Sequence, residues 1–573
     1  MWQHPDNLSR SDHGFVVCID HCACAVKNTS AKAAEEAVPH ILCIGKPLSL
    51  CGRDWKQDVV ELCKNGLEDS KLLDIVRDLS GMFALAALSA RSFVLITDPL
   101  GFVPVYTALQ NGKQWVGTSV EKVACAAGCF EELDHASVAE LLLRDSITFP
   151  FTTRAGVREL EPGSVHKWTW REDLRRFEYS TLAYYSPRES ESTRSLSGAV
   201  DDLVSAIHVA GRQLTEATSK VGVMLSGGRD SRVVLASVPN SVHRCGITLT
   251  DWENEEVRIA REIADAAGAE HRIVYRSALF YVELVDEETE LLGFERVAGN
   301  AHGLAANSQS VADMDLVIGG FASDTLLKAC WHQDATQLHK LFAQQNPSAE
   351  LSECAMGIMW WSLKPEVRVI IRERMLVRIR TIGDIRPQTA SEWMWFYPMS
   401  RQPHVGYALS NMMLLKGDEL FAHRDIIDIA CSACQDWRRS RRLALEAFRI
   451  IGGKLGRMPV SGENGRPAHW GRIRCGLHRR IYPCNQKLST PSQTVPWYTQ
   501  GSWCDRRVLQ SECREWRRLF VRRTAEERAN SLLSEMMTTR AMSLICGDHI
   551  HGLPARIDTA VLHVASLCHH TSP

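Results

Sequence analysis

Two patterns of hydrophobic and polar residues divide the chain. From about residue 14 onwards, short apolar runs alternate with turn residues, as at 83–88, 92–98 and 103–109. An Asn-Gly pair at Asn111 and Gly112 separates the last of these runs from the next, which is typical of a β-hairpin. This first pattern predicts a mainly antiparallel α+β domain over residues 1–185.

The second pattern follows a serine-rich polar segment at 186–198, which we interpret as a linker. The elements expected next are helix 199–214, strand 221–225, helix 232–236, strand 245–249, helix 255–267 and strand 272–275. Alternation of this kind is typical of a parallel sheet with crossover helices. We therefore predict a helix-rich α/β domain over residues 199–480 and a helical extension over residues 481–573.

Composition narrows the class of protein. With 573 residues, 45% hydrophobic and 23% charged, the chain is typical of a soluble globular protein of several domains. A formal net charge of −2 does not favour general nucleic-acid binding, and no apolar run approaches the roughly 18 residues of a membrane-spanning helix. The 19 scattered cysteines and the opening M-W-Q-H-P-D, which lacks a signal-peptide pattern, predict reduced thiols in a cytoplasmic protein.

A compact group of polar residues and glycines follows the predicted strand 221–225. Leu225 precedes two glycines, Gly227 and Gly228, which lie between the hydroxyls of Ser226 and Ser231. At the carboxyl end of a parallel strand, glycines let the backbone approach a phosphate, and the next helix offers free N–H groups. We expect these five residues to form part of a nucleotide phosphate site.

Asp230 belongs to the same group but is a poor phosphate contact, because like charges repel. A carboxylate at this position suits a magnesium ion that bridges phosphates. The alternative is that Gly227 and Gly228 form only a tight turn, with Asp230 and Ser231 capping the following helix. The Walker pattern G-x-x-x-x-G-K-[ST] does not occur in the sequence.

The stretch S-G-G-R-D-S at 226–231 resembles the S-G-G-x-D-S loop of ATP pyrophosphatases, which split ATP between its α and β phosphates. From about residue 81 to residue 467 the chain is similar to the asparagine synthetase family. The runs G-M-F-A-L-A-A-L and T-D-P-L-G-F-V-P-V-Y are similar to the class II, Ntn-type glutamine amidotransferase domain. The resemblance implies that such a domain precedes an ATP-binding synthetase domain.

The segment D-L-V-I-G-G-F-A-S-D at 315–324 resembles the strand and G-x-G-x-D-E loop of the same family. The resemblance implies that Asp324 is a second magnesium-binding carboxylate, that Gly320 contacts the nucleotide, and that ATP and Mg²⁺ are the cofactors. Hard oxygens from two walls of a cleft suit a metal ion between phosphates. Asp230 and Asp324 are therefore predicted to be catalytic residues and metal ligands.

One departure from the family concerns its glutaminase chemistry. A glutaminase of this class needs an amino-terminal cysteine, but residue 2 is Trp2, and Cys18, Cys22 and Cys24 are internal. We therefore expect a degenerate amidotransferase-like domain that makes no ammonia. The branch of the family without this cysteine includes β-lactam synthetases and lasso peptide cyclases, in which the substrate itself supplies the amine.

Two further departures lie in the synthetase part. Ala322 and Thr325 replace a glycine and a glutamate of the acidic loop, and the family's R-x-K-x-G motif is missing. Lys454 and Arg466 are candidates to replace the lysine of that motif, which can stabilise charge during adenylation. The alternative for each of these two cations is a solvated surface position.

The resemblance and the missing cysteine together predict an enzyme that adenylates a carboxylate and then closes an intramolecular amide. We favour a lasso peptide cyclase, which joins the amino terminus of a precursor peptide to an Asp or Glu side chain. That branch implies a precursor peptide, a leader peptidase and a leader-binding protein as partners. The open alternatives are an ammonia-using synthetase acting on a small molecule or sugar acid, a β-lactam synthetase and a non-catalytic scaffold.

Overall fold

The computed structural model shows an antiparallel α+β domain followed by a parallel-sheet α/β domain, as the two hydrophobic patterns predict. The structure describes residues 16–19, 24–27, 40–65, 68–88, 92–189, 195–277, 279–296, 299–306, 311–343, 355–461, 495–498, 501–502, 508–509, 512–516, 518 and 527–538.

Two five-stranded antiparallel sheets form the amino-terminal domain. Its strands are β1 (Val16–Ile19), β2 (Cys24–Lys27), β3 (His40–Gly45), β4 (Leu48–Ser49), β5 (Leu79–Ser80), β6 (Phe83–Leu88), β7 (Ser92–Thr97), β8 (Tyr106–Gln110), β9 (Lys113–Gly117), β10 (Val157–Glu159), β11 (Ser164–Arg171) and β12 (Arg176–Ala183). The spatial orders are β10-β8-β9-β1-β2 and β12-β11-β7-β6-β3, and β4 pairs with β5 separately. Asn111 and Gly112 both have positive φ between β8 and β9, so the predicted hairpin turn is confirmed.

The helices of this domain are α1 (Trp55–Asn65), α2 (Asp69–Arg77), α3 (Val120–Ala127) and α4 (His135–Arg144). Ser119 caps α3 by accepting a hydrogen bond from the backbone N–H of Lys122, and Asp134 caps α4 through Ser137. Nearly all of α4 is buried, because the helix lies beneath the second domain. The strand-and-turn pattern therefore predicts the sheets of this domain well, and local side-chain caps begin two of its helices.

A five-stranded parallel sheet is the centre of the second domain. Its strands are β13 (Lys220–Met224), β14 (His243–Thr250), β15 (Glu270–Tyr275), β16 (Leu316–Gly319) and β17 (Gly417–Glu419), and their spatial order is β15-β14-β13-β16-β17. Val221 and Val223 of β13 have no solvent exposure, as expected of a strand covered on both faces.

The helices that follow the first domain cover this sheet and extend it. They are α5 (Leu196–Thr215), α6 (Arg229–Ser237), α7 (Glu255–Ala267), α8 (Phe280–Glu283), α9 (Val285–Leu292), α10 (Ser323–Lys328), α11 (His332–Ala343), α12 (Ala355–Ser362), α13 (Pro365–Gly383), α14 (Ala390–Trp393), α15 (Val405–Leu415), α16 (Arg424–Ser432), α17 (Gln435–Arg439), α18 (Arg442–Gly452) and α19 (Glu527–Met536). In the described part of the chain, no helix combines the length and apolar character that a bilayer crossing requires.

Two helices begin three residues earlier than the sequence-based expectation. Helix α5 begins at Leu196 rather than at residue 199, because the Ser195 side chain caps it by accepting a hydrogen bond from the Gly198 N–H. Helix α6 begins at Arg229, three residues before the expected start. Of the predicted helical extension over 481–573, α19 is helical, and most of the remainder lies outside the described residues.

The two domains share one continuous apolar core. The backbone N–H groups of Met399 and Ser400 also donate to the carbonyls of Leu100 and Gly101 in the first domain, each at 2.7 Å. Next to these bonds, the buried Arg401 forms ion pairs with two buried carboxylates, Glu159 and Glu295. The amino-terminal domain is thus a firmly attached support for the second domain.

Candidate active site

Two loops meet at the carboxyl edge of the parallel sheet, at the point where the strand order reverses. The chain proceeds from β13 outwards to β14 and β15, and then returns to the other side of β13 with β16 and β17. Val223 of β13 is paired with Ile318 of β16, so the loops that follow these two strands start side by side. Open α/β sheets bind ligands at such a switch point.

The two serines of the first loop hold its shape. The Ser231 hydroxyl donates to the carbonyl of Ser226 and accepts from its N–H, each at 3.1 Å. The Ser226 hydroxyl in turn accepts from the N–H of Gly228 at 3.1 Å. Leu225 continues the pairing of β13, because its N–H donates to Ile247 O at 2.8 Å. These bonds give the loop a defined conformation directly after the strand.

A second segment packs closely against this loop at Gly227. A Cβ atom on Gly227 would lie 2.8 Å from the Cβ of Ser461, so only glycine fits there. The buried Arg232 donates to the carbonyls of Gly227 and Gly228 at 3.0 and 2.8 Å. The same guanidinium also donates to the carbonyls of Leu455, Met458 and Pro459. Arg232 therefore fastens the loop to the 455–459 segment.

Asp230 does not cap α6. The N-cap residue of this helix is Gly228, which makes no side-chain cap hydrogen bond. The Asp230 carboxylate instead contacts the amine of Lys328, with 2.5 Å between Oδ1 and Nζ. The capping alternative considered from the sequence is therefore not the arrangement that the structure shows for Asp230.

Lys328 joins the two predicted metal ligands. Its amine also lies 2.9 Å from Oδ1 of Asp324, one helical turn earlier on α10. The structure thus brings Asp230 and Asp324 to one point, although they are far apart in sequence. Sequence reasoning missed Lys328, and the available signal was the i,i+4 spacing of Asp324 and Lys328 in S-D-T-L-L-K.

Electrostatics couples these three side chains. Burial raises the pKa of Asp230, while the nearby Lys328 lowers it and Asp324 raises it further. Burial acts to lower the pKa of Lys328, but the two carboxylates outweigh this effect and the net shift of its pKa is upward. Lys328 is therefore a cation at neutral pH, in contact with two acidic side chains.

The second loop, which carries Asp324, is hydrogen-bonded to Glu419 at the end of the neighbouring strand β17. The Phe321 N–H donates to a carboxylate oxygen of Glu419 at 2.7 Å. Gly319 is required beside this group, since a Cβ there would lie 2.3 Å from the same carboxylate. Burial, with a contribution from Asp418, raises the pKa of Glu419 to about 8. Sequence reasoning missed Glu419 as well, because the strand that carries it, β17, is only three residues long.

The residues that depart from the family pattern have distinct surroundings. Ala322 has φ of 70°, which is the left-handed conformation that glycine adopts most easily. Thr325 is buried, and its hydroxyl accepts hydrogen bonds from Trp331 Nε1 and Gln402 Nε2 at 3.3 and 3.4 Å. Thr325 thus contributes to packing rather than supplying a second carboxylate.

Of the two candidate replacements for the missing lysine, the structure describes only Lys454. Lys454 is exposed and precedes the 3₁₀ turn Leu455–Arg457, whose backbone contacts Arg232. Arg466 lies outside the described residues. Gly320, by contrast, lies beside Asp230. A Cβ atom added to Gly320 would be 3.8 Å from the Cβ of Asp230.

The carboxylates present fit a magnesium ion only in company with a nucleotide. In the described ranges, no group of three or more His, Cys, Asp and Glu side chains is arranged to hold a metal. Mg²⁺ is commonly held by one or two carboxylates plus substrate phosphates, and Asp230 and Asp324 can supply that share. The Lys328 amine, however, already contacts both of these ligands.

Comparisons with known proteins agree with this architecture. A glutamine amidotransferase domain model matches residues 70–180, and an asparagine synthase model matches residues 205–399. No curated protein matches the sequence. The chain is thus a synthetase with an amidotransferase-like domain in front of it, and it uses ATP. The asparagine synthase domain indicates an ATP-dependent carbon–nitrogen ligase that produces AMP and pyrophosphate.

Two solved structures share weak similarity with the chain. One is the allosteric regulatory enzyme of purine biosynthesis, with 10% identity and a TM-score of 0.20, covering 46% of this chain and 75% of that chain. The other is glutamine phosphoribosylpyrophosphate amidotransferase from B. subtilis complexed with ADP and GMP. It has 11% identity and a TM-score of 0.19, and the match covers 47% of this chain and 62% of that chain.

Proposed function

We propose that the protein adenylates a peptide carboxylate and closes an intramolecular amide, as a lasso peptide cyclase does. The observation that carries the proposal is the convergence of the Ser226–Ser231 loop with Asp230 and Asp324 at the switch point of the sheet. The substrate would be a precursor peptide whose amino terminus is joined to an Asp or Glu side chain.

The reaction has two steps. An oxygen of the substrate carboxylate attacks the α-phosphorus of ATP, the bond from that phosphorus to the bridging oxygen breaks, and pyrophosphate leaves. The peptide's own amine then attacks the acyl carbon, the bond to AMP breaks, and the amine loses a proton. Holding both ends of one molecule together can contribute roughly 7–11 kcal/mol in favourable cases.

The first loop is suited to hold the departing pyrophosphate. The Gly227 N–H and the Ser226 hydroxyl lie just before the positive end of α6, and Ser231, in the first turn of that helix, holds the loop in shape. Asp230 and Asp324 would hold Mg²⁺ when it arrives with the nucleotide, and the ion would neutralise charge on the leaving group.

The amine donor in this proposal is the substrate rather than ammonia. A glutaminase of this class needs a cysteine whose own α-amine is free to activate the thiol. Cys18 lies within β1 and pairs with Ala25 and Trp115, and Cys24 pairs with Ile19. Both cysteines are thus internal residues of paired strands, whose main-chain nitrogens are in peptide bonds. A leader peptidase and a leader-binding protein are the further partners that this function implies.

The experiment that tests the function uses a linear peptide with a free amino terminus and one internal Asp or Glu. AMP should appear in step with a product that is lighter by one water, and neither should appear when that carboxylate is changed to its amide. Glutamine should yield no glutamate above background. Production of ADP would contradict the proposal, and AMP formation only with added ammonia would favour the ammonia-using synthetase.

A further inference from the structure

The most distinctive group at the site is a cation between the two predicted metal ligands. The Lys328 amine lies 2.5 Å from Asp230 and 2.9 Å from Asp324, and only 9% of its side chain is exposed. The ring of Phe448 lies 5.5 Å from the same amine on another side. Lys328 is therefore enclosed by the site rather than extended into solvent.

The surrounding structure fixes the position of this amine. Helix α10 ends at Lys328, and Ala329 follows with φ of 48°. The buried Arg438 donates to the carbonyls of Thr325 and Leu326 in the same helix, at 3.1 and 2.7 Å. The arginine is itself paired with the buried Glu392 at 2.8 Å. A helix anchored in this way places the lysine in the cleft with little freedom.

The chemistry of an ammonium group matches that of a phosphate site. It carries three N–H donors, of which the two carboxylates use two, so a further donor can serve a phosphate oxygen. Two carboxylates without a cation would repel a triphosphate, and one positive charge reduces that repulsion. An ammonium supplies this charge permanently, whereas Mg²⁺ must be bound from solution.

We infer that Lys328 is a resident cation that supplies, between Asp230 and Asp324, part of the positive charge that Mg²⁺ brings to such a site, and that it binds the β- and γ-phosphates of the nucleotide. The inference rests on the proposed function, because it assumes that a nucleoside triphosphate occupies this cleft. Lys328 is then a phosphate-binding residue, and the site needs less free Mg²⁺ to bind the nucleotide.

The chain offers a matched control at the opposite edge of the same sheet. Lys220, at the start of β13, also contacts two carboxylates, with Nζ 3.4 Å from Glu270 and 2.5 Å from Asp313. It lies at the amino ends of the parallel strands, where no ligand is expected. Replacing Lys220 removes an equivalent charge without touching the proposed nucleotide site.

The experiment measures binding of α,β-methylene-ATP by titration calorimetry, in EDTA and in excess Mg²⁺. Wild type should bind the analogue in EDTA, and Lys328→Met should bind it about tenfold more weakly there, a loss of about 1.4 kcal/mol. Excess Mg²⁺ should restore most of the affinity of Lys328→Met, because the ion can then occupy the vacated position. Lys220→Met should match wild type in both conditions.

Lys328→Arg keeps the charge and covers the case in which the methionine variant fails to fold. A folded arginine variant should bind the analogue in EDTA within a few fold of wild type. Equal binding by wild type and folded Lys328→Met in EDTA would overturn the inference and leave the proposed function intact. Binding by wild type only with Mg²⁺ would also overturn the inference, whereas absence of binding by wild type in both conditions would contradict the proposed function itself.

Discussion

Two clusters in this molecule each place one cation between two carboxylates, and they differ in their exposure to solvent. In the domain interface, Arg401 contacts Glu159 and Glu295, and each of the three side chains is at most 3% exposed. At the edge of the parallel sheet, Lys328 contacts Asp230 and Asp324, and the Asp324 side chain is 67% exposed. The charges are alike, and access to solvent differs.

The comparison shows how burial decides whether a ligand can reach an ion cluster. A fully enclosed ion group can only stabilise or destabilise the fold, because nothing from solution reaches it. The planar guanidinium of Arg401 suits such fixed pairing, whereas the ammonium of Lys328 is a point charge on a flexible stem. A cluster open on one side can exchange one of its partners for a ligand.

The largest expected effect is on catalysis and concerns the open cluster. Asp230→Ala or Asp324→Ala should reduce amide formation by about three orders of magnitude, as loss of a main electrostatic contact does. Circular dichroism should show an unchanged fold. Asp313→Ala, at the opposite edge of the sheet, should retain activity. Near-normal turnover by both Asp230→Ala and Asp324→Ala would contradict a catalytic role for the open cluster.

The next effect is on stability and concerns the enclosed cluster. Arg401→Met should lower the free energy of unfolding by about 3–5 kcal/mol, because Glu159 and Glu295 would lose their buried cation. Urea unfolding followed by fluorescence measures this change. Arg171→Ala breaks ion pairs with Asp173 and Glu178 that are exposed, and it should change stability little. Comparable effects of both variants would contradict the role assigned to burial.

Glu419 differs from the carboxylates of both clusters. It is buried, and no lysine or arginine among the described residues forms an ion pair with it. Its pKa is about 8 in the folded protein, above the ordinary value of 4.5. Its contribution to stability is therefore greatest below pH 4.5 and is lost as the pH rises through about 8. Glu419→Gln should remove this part of the pH dependence, which thermal unfolding between pH 5 and pH 9 would measure. An identical slope for both proteins would contradict the assignment.

The smallest effect concerns the backbone that carries the open cluster. Ala322 has φ of 70° two residues before Asp324, whereas the residues of the enclosed cluster have no positive φ. Ala322→Gly should raise the free energy of unfolding by about 0.5–1 kcal/mol, since it relieves left-handed strain. Ala206→Gly, in the interior of α5, should have the opposite sign. Destabilisation by Ala322→Gly would show that this backbone is unstrained.

The sequence alone predicts the parts of the site that are local. The loop after β13 follows from an apolar run that ends in Ser226, Gly227 and Gly228, and helix α7 forms at the predicted residues 255–267. Asp324 is predicted only through a family resemblance, since nothing in its sequence neighbourhood points to Asp230.

The remaining contacts depend on packing between distant segments. Lys328 and Asp230 are separated by 98 residues, and Phe321 and Glu419 likewise. The periodicity of apolar residues does not predict such contacts. The order of the strands in the sheet, and not the spacing of residues along the chain, decides which side chains come together. The early start of α5 depends on the single hydroxyl of Ser195, which a search for apolar periodicity does not detect.

The hydrogen bonds by which Arg232 holds the first loop can form only late in translation. Its contacts with Leu455, Met458 and Pro459 link residues that are 223–227 positions apart. At about 5–20 residues per second, a ribosome needs on the order of 10–50 seconds to travel from the loop to that segment. The bonds that hold the first loop to this segment are thus among the last of its domain to form, and an unfinished chain lacks them until the 455–459 segment has emerged.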